Sequence, residues 1–145
     1  MPPSLLCRRR DGGPLPFLPQ RNPWDIHCYF SDAQSRAASL ELRAGLMAAF
    51  PWLRQLKLWE DAIGPHALPM WEVDFGLPES APRVAEVVQW LVRHNSNSSN
   101  NGEGNTSLSI LVHPNTTDGG VTDHTEHAIW IGRRLPVKLE AFAPR

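Results

Sequence analysis

Apolar and polar residues alternate with a period of two over Trp24-Asp25-Ile26-His27-Cys28-Tyr29-Phe30. Ile26, Cys28 and Phe30 fall on one side and Asp25, His27 and Tyr29 on the other, the pattern of a strand with one apolar face. The period then lengthens. Ser31 or Asp32 offers an N-cap, and Ala33, Ala37, Leu40, Ala44 and Met47 recur at helical spacing, so a helix is predicted over 33–49 and is stopped by Pro51. A short strand follows around Leu56 and Leu58, and Gly64, Pro65 and Pro69 mark a loop from Glu60 to Pro69. Met70 to Phe75 alternates again, with Trp71, Val73 and Phe75 opposed to Met70, Glu72 and Asp74. A second helix is predicted over Ser80–His94, with Pro82 in its first turn and Val84, Val87, Val88 and Leu91 as its apolar stripe. Ser107 to His113 reads as a fourth strand, with Leu108, Ile110 and Val112 opposed to Ser109, Leu111 and His113. Ala128 to Gly132 offers a further short strand, and Leu135 to Leu139 reads as extended chain.

The order β-α-β-β-α-β predicts an α+β protein with a ferredoxin-like antiparallel sheet, both helices on one face and a C-terminal extension. In that arrangement the first strand lies between the third and fourth. The other face of the sheet is then left for a ligand or a partner, and a homodimer is the expected assembly.

Bulk properties narrow the function classes. The 145 residues suit one domain, and 41% apolar residues suffice for a core. A formal charge of -1 argues against a nucleic-acid grip, which needs a clustered basic face. No apolar run approaches the roughly 18 residues of a membrane span, and no secretory apolar stretch precedes Arg8, Arg9 and Arg10, so a cytoplasmic, reducing setting is expected. Only Cys7 and Cys28 are present, too few for a disulfide framework. Residues 1–23 are rich in Pro, Gly and Arg and read as a disordered or loosely docked tail, ahead of a domain spanning 24–145. Asn95 to Thr106 reads as a mobile Asn/Ser loop. The glycosylation-type triplets beginning at Asn97, Asn105 and Asn115 are taken as chance products of such loops.

Chemistry concentrates on the face away from the helices. That face carries Asp25, His27, Tyr29, Glu72, Asp74 and His113, and a first strand flanked by the third and fourth lets His27 approach both Glu72 and His113. Two imidazoles and a carboxylate on neighbouring strands match the facial triad that holds non-haem Fe(II). His66, in the Gly64-Pro65-His66 loop, is the alternative to Glu72 as third ligand. In Asp123-His124-Thr125-Glu126-His127, His124 is a candidate acid/base group, and Asp123 or Glu126 a candidate to orient an imidazole. Tyr29 shares the His27 face and is a candidate pocket residue, with Asp25 and Asn115 as further substrate contacts. His94 ends a helix and is read as a favourable charge there.

The motifs Trp24 to Phe30, Gly64-Pro65-His66 with Met70, Leu111-Val112-His113-Pro114-Asn115-Thr116, Asp123-His124-Thr125 and Ala128-Ile129-Trp130-Ile131-Gly132 together resemble the DOPA 4,5-dioxygenase family of fungi and bacteria, in order and spacing, from Trp24 to about Phe142. The resemblance implies an extradiol dioxygenase that opens L-DOPA or a related catechol with O2, using Fe(II). By matching motifs, His27, His66, His113 and His124 are the positions carried over as site histidines; sheet geometry then assigns the metal to His27, His113 and either His66 or Glu72. The long Asn/Ser tract before the fourth strand, and Thr117 where a glycine is common, depart from the family pattern. Two other readings of the residues stay open: a catalytically silent ferredoxin-like binding or dimerisation protein, and a zinc hydrolase built on the same histidines.

Overall fold

A computed structural model describes residues 13–95 and 107–143. The elements are β1 (Trp24–Tyr29), α1 (Ala33–Ala49), β2 (Arg54–Trp59), β3 (Met70–Asp74), α2 (Val84–Asn95), β4 (Ile110–Pro114), α3 (Gly120–His124) and β5 (Ile129–Ile131), with 3-10 turns at Pro78–Arg83 and Leu139–Phe142. All strands join one antiparallel sheet in the order β2-β3-β1-β4-β5. The α+β class and the placement of β1 between β3 and β4 are therefore as the sequence predicts. No helix among the described residues is long and apolar enough to cross a membrane.

One face of the sheet is covered by α1 and α2. Leu42 and Leu46 of α1 and Val87 and Leu91 of α2 close over Ile26, Cys28, Trp71, Val73, Ile110 and Val112. Trp71 is fully buried, and its indole N–H donates to the Ser39 carbonyl of α1 at 2.8 Å, so sheet and helix are joined by packing and by a satisfied polar group. A reciprocal capping box between Asp32 and Ser35 starts α1. Cys28 is free and lies inside this core.

Two segments differ from the sequence expectation. The second helix was expected from Ser80, but the chain runs as a 3-10 turn through Pro82 and becomes α-helical only at Val84. Pro82 has no N–H to give and its ring crowds the preceding turn, so the α-helix begins beyond it. Order was expected to begin at Trp24, yet residues before it dock. Phe17 bridges Thr116 and packs edge-on against Trp24, Leu18 N–H donates to Asn115 O at 2.9 Å, and Pro23 is fully buried. Residues 1–12 of the expected tail, and 96–106 of the expected mobile loop, lie outside the described residues. The ends of that loop are held together, since Asn95 exchanges two hydrogen bonds of 2.9 Å with the backbone of Leu108. Gly132, at φ +77, turns the chain after β5 where a Cβ would overlap the Leu108 carbonyl oxygen.

The second face is not bare. Register places its side chains in three rows across the sheet. Arg54, Asp74, Asp25 and His113 form a charged row; Glu72, His27, Leu111 and Trp130 form the next; Trp59, Met70 and Tyr29 form the third. The loop with Leu68, the stretch at Ala128 and Leu135 close over Tyr29, Met70 and Leu111. Polarity thus grades along the strands, from ions through imidazole to aromatic rings.

Candidate metal centre

Four histidines from four parts of the chain meet on this face. His27 comes from β1, His113 from β4, His66 from the β2–β3 loop and His124 from the last turn of α3. Ring centroids lie 4.3 Å apart for His27 and His66, 5.1 Å for His27 and His113, 3.9 Å for His113 and His124, and 5.9 Å for His66 and His124. Period-two alternation delivers His27 and His113. Gly64, at φ +56, opens the turn that brings His66 over them. His124 is positioned by a contact that sequence reasoning did not assign. The Asp123 carboxylate accepts the Thr116 N–H at 2.8 Å and the Thr116 hydroxyl at 2.6 Å, pinning α3 to the end of β4. Asp123 therefore anchors a helix rather than orienting an imidazole, and Phe142 packs on the other side of the His124 ring at 4.9 Å.

Burial sets the electrostatics. His27 is held well below the ordinary imidazole range, first by desolvation and then by repulsion from His113, His66 and His124. The same causes, desolvation first and then His113, lower His66 to about 4 and His124 to about 3. At neutral pH these three rings are uncharged. Burial raises the Glu72 carboxyl above its usual value, with Asp25 adding repulsion. Burial also pushes the Tyr29 hydroxyl up, so it keeps its proton.

Hydrogen bonds fix which ring nitrogens carry lone pairs. A carbonyl can only accept, so His113 Nδ1 donates to Pro114 O at 3.0 Å and His124 Nδ1 donates to Gly120 O at 2.7 Å. In the neutral rings Nε2 of each is then a lone pair. His113 Nε2 lies 3.1 Å from His27 Nε2, in rings inclined by only 10°. On its other edge His27 Nδ1 is buried without a hydrogen-bond partner, and the Glu72 carboxylate lies 3.9 Å away. With its proton on Nε2, His27 donates to His113; with its proton on Nδ1, toward the carboxylate, it turns a second lone pair to His113. In either tautomer the two Nε2 atoms stand 3.1 Å apart.

That arrangement fits a cation. Two imidazole nitrogens bound at right angles to one ion at about 2.1 Å lie about 3.0 Å apart. Two overlapping groups have ligand atoms close enough to share an ion, Asp25 with His27 and His113, and His27 with His66 and Glu72. Asp25 Oδ2 is 3.6 Å from His113 Nε2, and Asn22 and Asn115 donate to the two Asp25 oxygens at 2.8 and 2.9 Å. Asn115 thus buttresses Asp25; with its amide also on the Asn22 carbonyl, it is a structural residue rather than a glycan acceptor. The Tyr29 hydroxyl meets His66 Nδ1 at 2.7 Å, and its ring lies against Trp130 at 5.9 Å. Register adds one detail beyond alternation: Asp25, not Glu72, is directly opposite His113, while His27 is opposite both Glu72 and Leu111.

The remaining histidines stand apart. His94 stacks on Trp90 at 3.9 Å on α2, and His127 pairs with Asp118 at 2.8 Å near the surface. Trp24 belongs to the helix-side core, with its N–H donating to Ala81 O at 3.2 Å. Beside the charged row a cavity of about 540 Å³ is lined by Gln20, Arg21, Asn22, Asp25, Arg54, Asp74 and Asn115, among others, and reaches the centre at Asp25.

Known proteins resemble this chain over most of its length. A protein of Botryotinia fuckeliana named only as an uncharacterized 21.2 kDa protein is 36% identical over 127 residues, which cover 82% of this chain. The chain spans 62% of that relative's length. A crystal structure from Nostoc punctiforme, titled a "putative dioxygenase", superposes with a TM-score of 0.64 at 33% identity, covering 83% of this chain and 90% of that one. The family model of the Dopa 4,5-dioxygenases matches residues 24–141, which contain every residue of the centre except the Asn22 and Phe142 that brace it. A buried cluster of four imidazoles and a match over most of the chain lead to one conclusion: this chain belongs to the Dopa 4,5-dioxygenase family.

Proposed function

We propose that this protein is a non-haem iron extradiol dioxygenase that opens the ring of L-DOPA or a related catechol with O2. The observation that carries the reading is the approach of the buried Nε2 atoms of His27 and His113 to 3.1 Å, beside carboxylates and two further imidazoles. Family membership supports a dioxygenase; iron and the catechol are the step beyond it. His27 and His113 would hold Fe(II), together with a third ligand from Asp25, Glu72 or His66. The ion supplies Lewis acidity toward both catechol oxygens and the electron transfer that lets a ring react with O2.

The chain's own groups do the rest. The cavity at the charged row gives a polar catechol a route to the centre. Leu111, Met70 and Tyr29, closed over by Trp130 and Leu135, keep water from the opposite side, which strengthens every charge interaction inside. His124 offers a neutral Nε2 lone pair beside His113, placed to accept a hydrogen bond from a catechol hydroxyl. Glu72 faces the Nδ1 edge of His27 and holds that ring in the tautomer that leaves Nε2 free.

Protein loaded anaerobically with Fe(II), mixed with L-DOPA and exposed to air is expected to give a yellow ring-opened product and to consume one O2 per catechol. Protein that binds one iron per chain and takes up no O2 with L-DOPA, or with catechols bearing other side chains, would overturn the reading.

A further inference from the structure

We propose that His66 is not a metal ligand but a hydrogen-bond donor to the substrate, its tautomer set by Tyr29, and that Asp25 completes the metal site with His27 and His113. The inference rests on the reading above and assigns the third ligand that it leaves open.

The argument is one of proton accounting. Tyr29 is 3% exposed, and among the described residues its hydroxyl has one hydrogen-bond partner, His66 Nδ1 at 2.7 Å. A phenol carries one proton and must place it somewhere. If His66 Nδ1 carried the hydrogen, the Tyr29 oxygen would accept it and its own proton would be buried with no acceptor, at a cost of about 1–3 kcal/mol. If Tyr29 donates instead, both groups are satisfied and the neutral His66 ring carries its hydrogen on Nε2. A nitrogen that bears hydrogen cannot ligate a metal. It can donate to an oxygen held beside it, and the His27 ring is only 4.3 Å away.

The other rings show the opposite arrangement. A metal-bound imidazole usually gives its second N–H to a carbonyl, a carboxylate or water. His113 does so to Pro114 O, and His27 directs Nδ1 at Glu72. His66 alone meets a group that has a hydrogen to donate. Glu72 lies on the far edge of His27 from His113, whereas Asp25 Oδ2 is 3.6 Å from His113 Nε2. Both Asp25 oxygens are already oriented by Asn22 and Asn115, as ligating carboxylates commonly are. The site is then two imidazoles and one carboxylate, with His66 above it as donor and His124 beside it as acceptor.

The test uses Zn(II) alone as the probe of the site, so that ligation is read apart from turnover. His66→Gln is expected to bind Zn(II) with a Kd within about threefold of the parent, while Asp25→Asn weakens it by roughly 10–100-fold. The same His66→Gln protein, loaded with Fe(II), is expected to lose about 100-fold or more in kcat on L-DOPA. Long-range 1H–15N spectra of the unmutated Zn(II) protein should show His66 with hydrogen on Nε2, a result that does not depend on any variant folding. Tyr29→Phe should let the His66 hydrogen move to Nδ1 in the same spectrum. Loss of Zn(II) in His66→Gln with retention in Asp25→Asn, or a His66 spectrum with a metal-shifted Nε2, would overturn the proposal and leave the dioxygenase reading standing. A parent protein that binds neither Zn(II) nor Fe(II) would overturn both.

Discussion

The two faces of β1 use the same backbone and differ only in the parity of the residue number. Ile26 and Cys28 point into a layer that is almost wholly apolar, and its fully buried indole, Trp71, gives its N–H to the Ser39 carbonyl. Asp25, His27 and Tyr29, one residue over, point into a layer that is nearly as buried but unfinished. There His27 is 4% exposed with an orphaned nitrogen, and His113 is 3% exposed with a lone pair aimed at another ring. Burial without satisfaction costs folding free energy, so the second face is retained against stability. The helix-covered face supplies the stability that lets the imidazole face remain incomplete.

Breaking the first face should have the largest effect. Trp71→Ala removes a fully buried indole and its bond to Ser39, and is expected to cost about 3–5 kcal/mol in urea unfolding. The same protein, where it still folds, should bind Zn(II) nearly as the parent does, because Trp71 faces away from the imidazoles. A Trp71→Ala protein of unchanged stability would show that the helix side is not the source of stability.

Acid should act on the second face, with a smaller effect. His66 protonates near 4 in the folded protein and near the ordinary 6.5 when unfolded. Between those values the unfolded chain binds more protons, so stability of the metal-free protein falls as pH drops from 6.5 toward 4 and is flat above. The shift corresponds to about 3 kcal/mol for this one group, and His27 and His124 are lowered in the same direction. Urea midpoints of the metal-free protein at pH 7, 5.5 and 4.5 check this. A midpoint that holds constant over that range would mean that the imidazoles are not buried together. Zn(II) should raise the midpoint at pH 7 and lose its effect in acid, since protons and the ion compete for the imidazole nitrogens.

How much of this could be read from the chain follows from the same contrast. Alternation at 24–30 and 70–75, and the helical stripes at 33–49 and 84–91, are local signals, and they give the sheet, its apolar face and the face on which His27 and His113 meet. Alternation does not give register, because it repeats every two residues; it puts Asp25 and Glu72 on the imidazole face, and only the strand pairing shows that Asp25 stands opposite His113 and Glu72 opposite His27. Helix α3 left no mark because five residues beginning with glycine carry no period, and its anchor is a single Thr116–Asp123 pair. The docking of Phe17 and Leu18 was equally silent. Their partners, Thr116 and Asn115, are about a hundred positions away, and a Pro-rich segment docked by a few contacts has the composition of a free one.

The smallest effect should separate a histidine from a site. His127 has the residue type, lies three positions from His124, and is bonded to a carboxylate at 2.8 Å, as a site imidazole would be. It differs in its surroundings: the His127 and Asp118 side chains are 22% and 32% exposed, and water can replace either partner. A pair of that kind is worth about 0–1 kcal/mol. His127→Gln is therefore expected to change the unfolding free energy by less than about 1 kcal/mol and to leave Zn(II) affinity as it was. Isothermal titration with Zn(II) and a urea curve check both. If His127→Gln instead weakened Zn(II) as much as Asp25→Asn does, α3 would have to present His127 rather than His124 to the centre. The Thr116–Asp123 anchor would then set a different rotation of that helix, and the proton acceptor assigned to His124 would have to be reassigned with it.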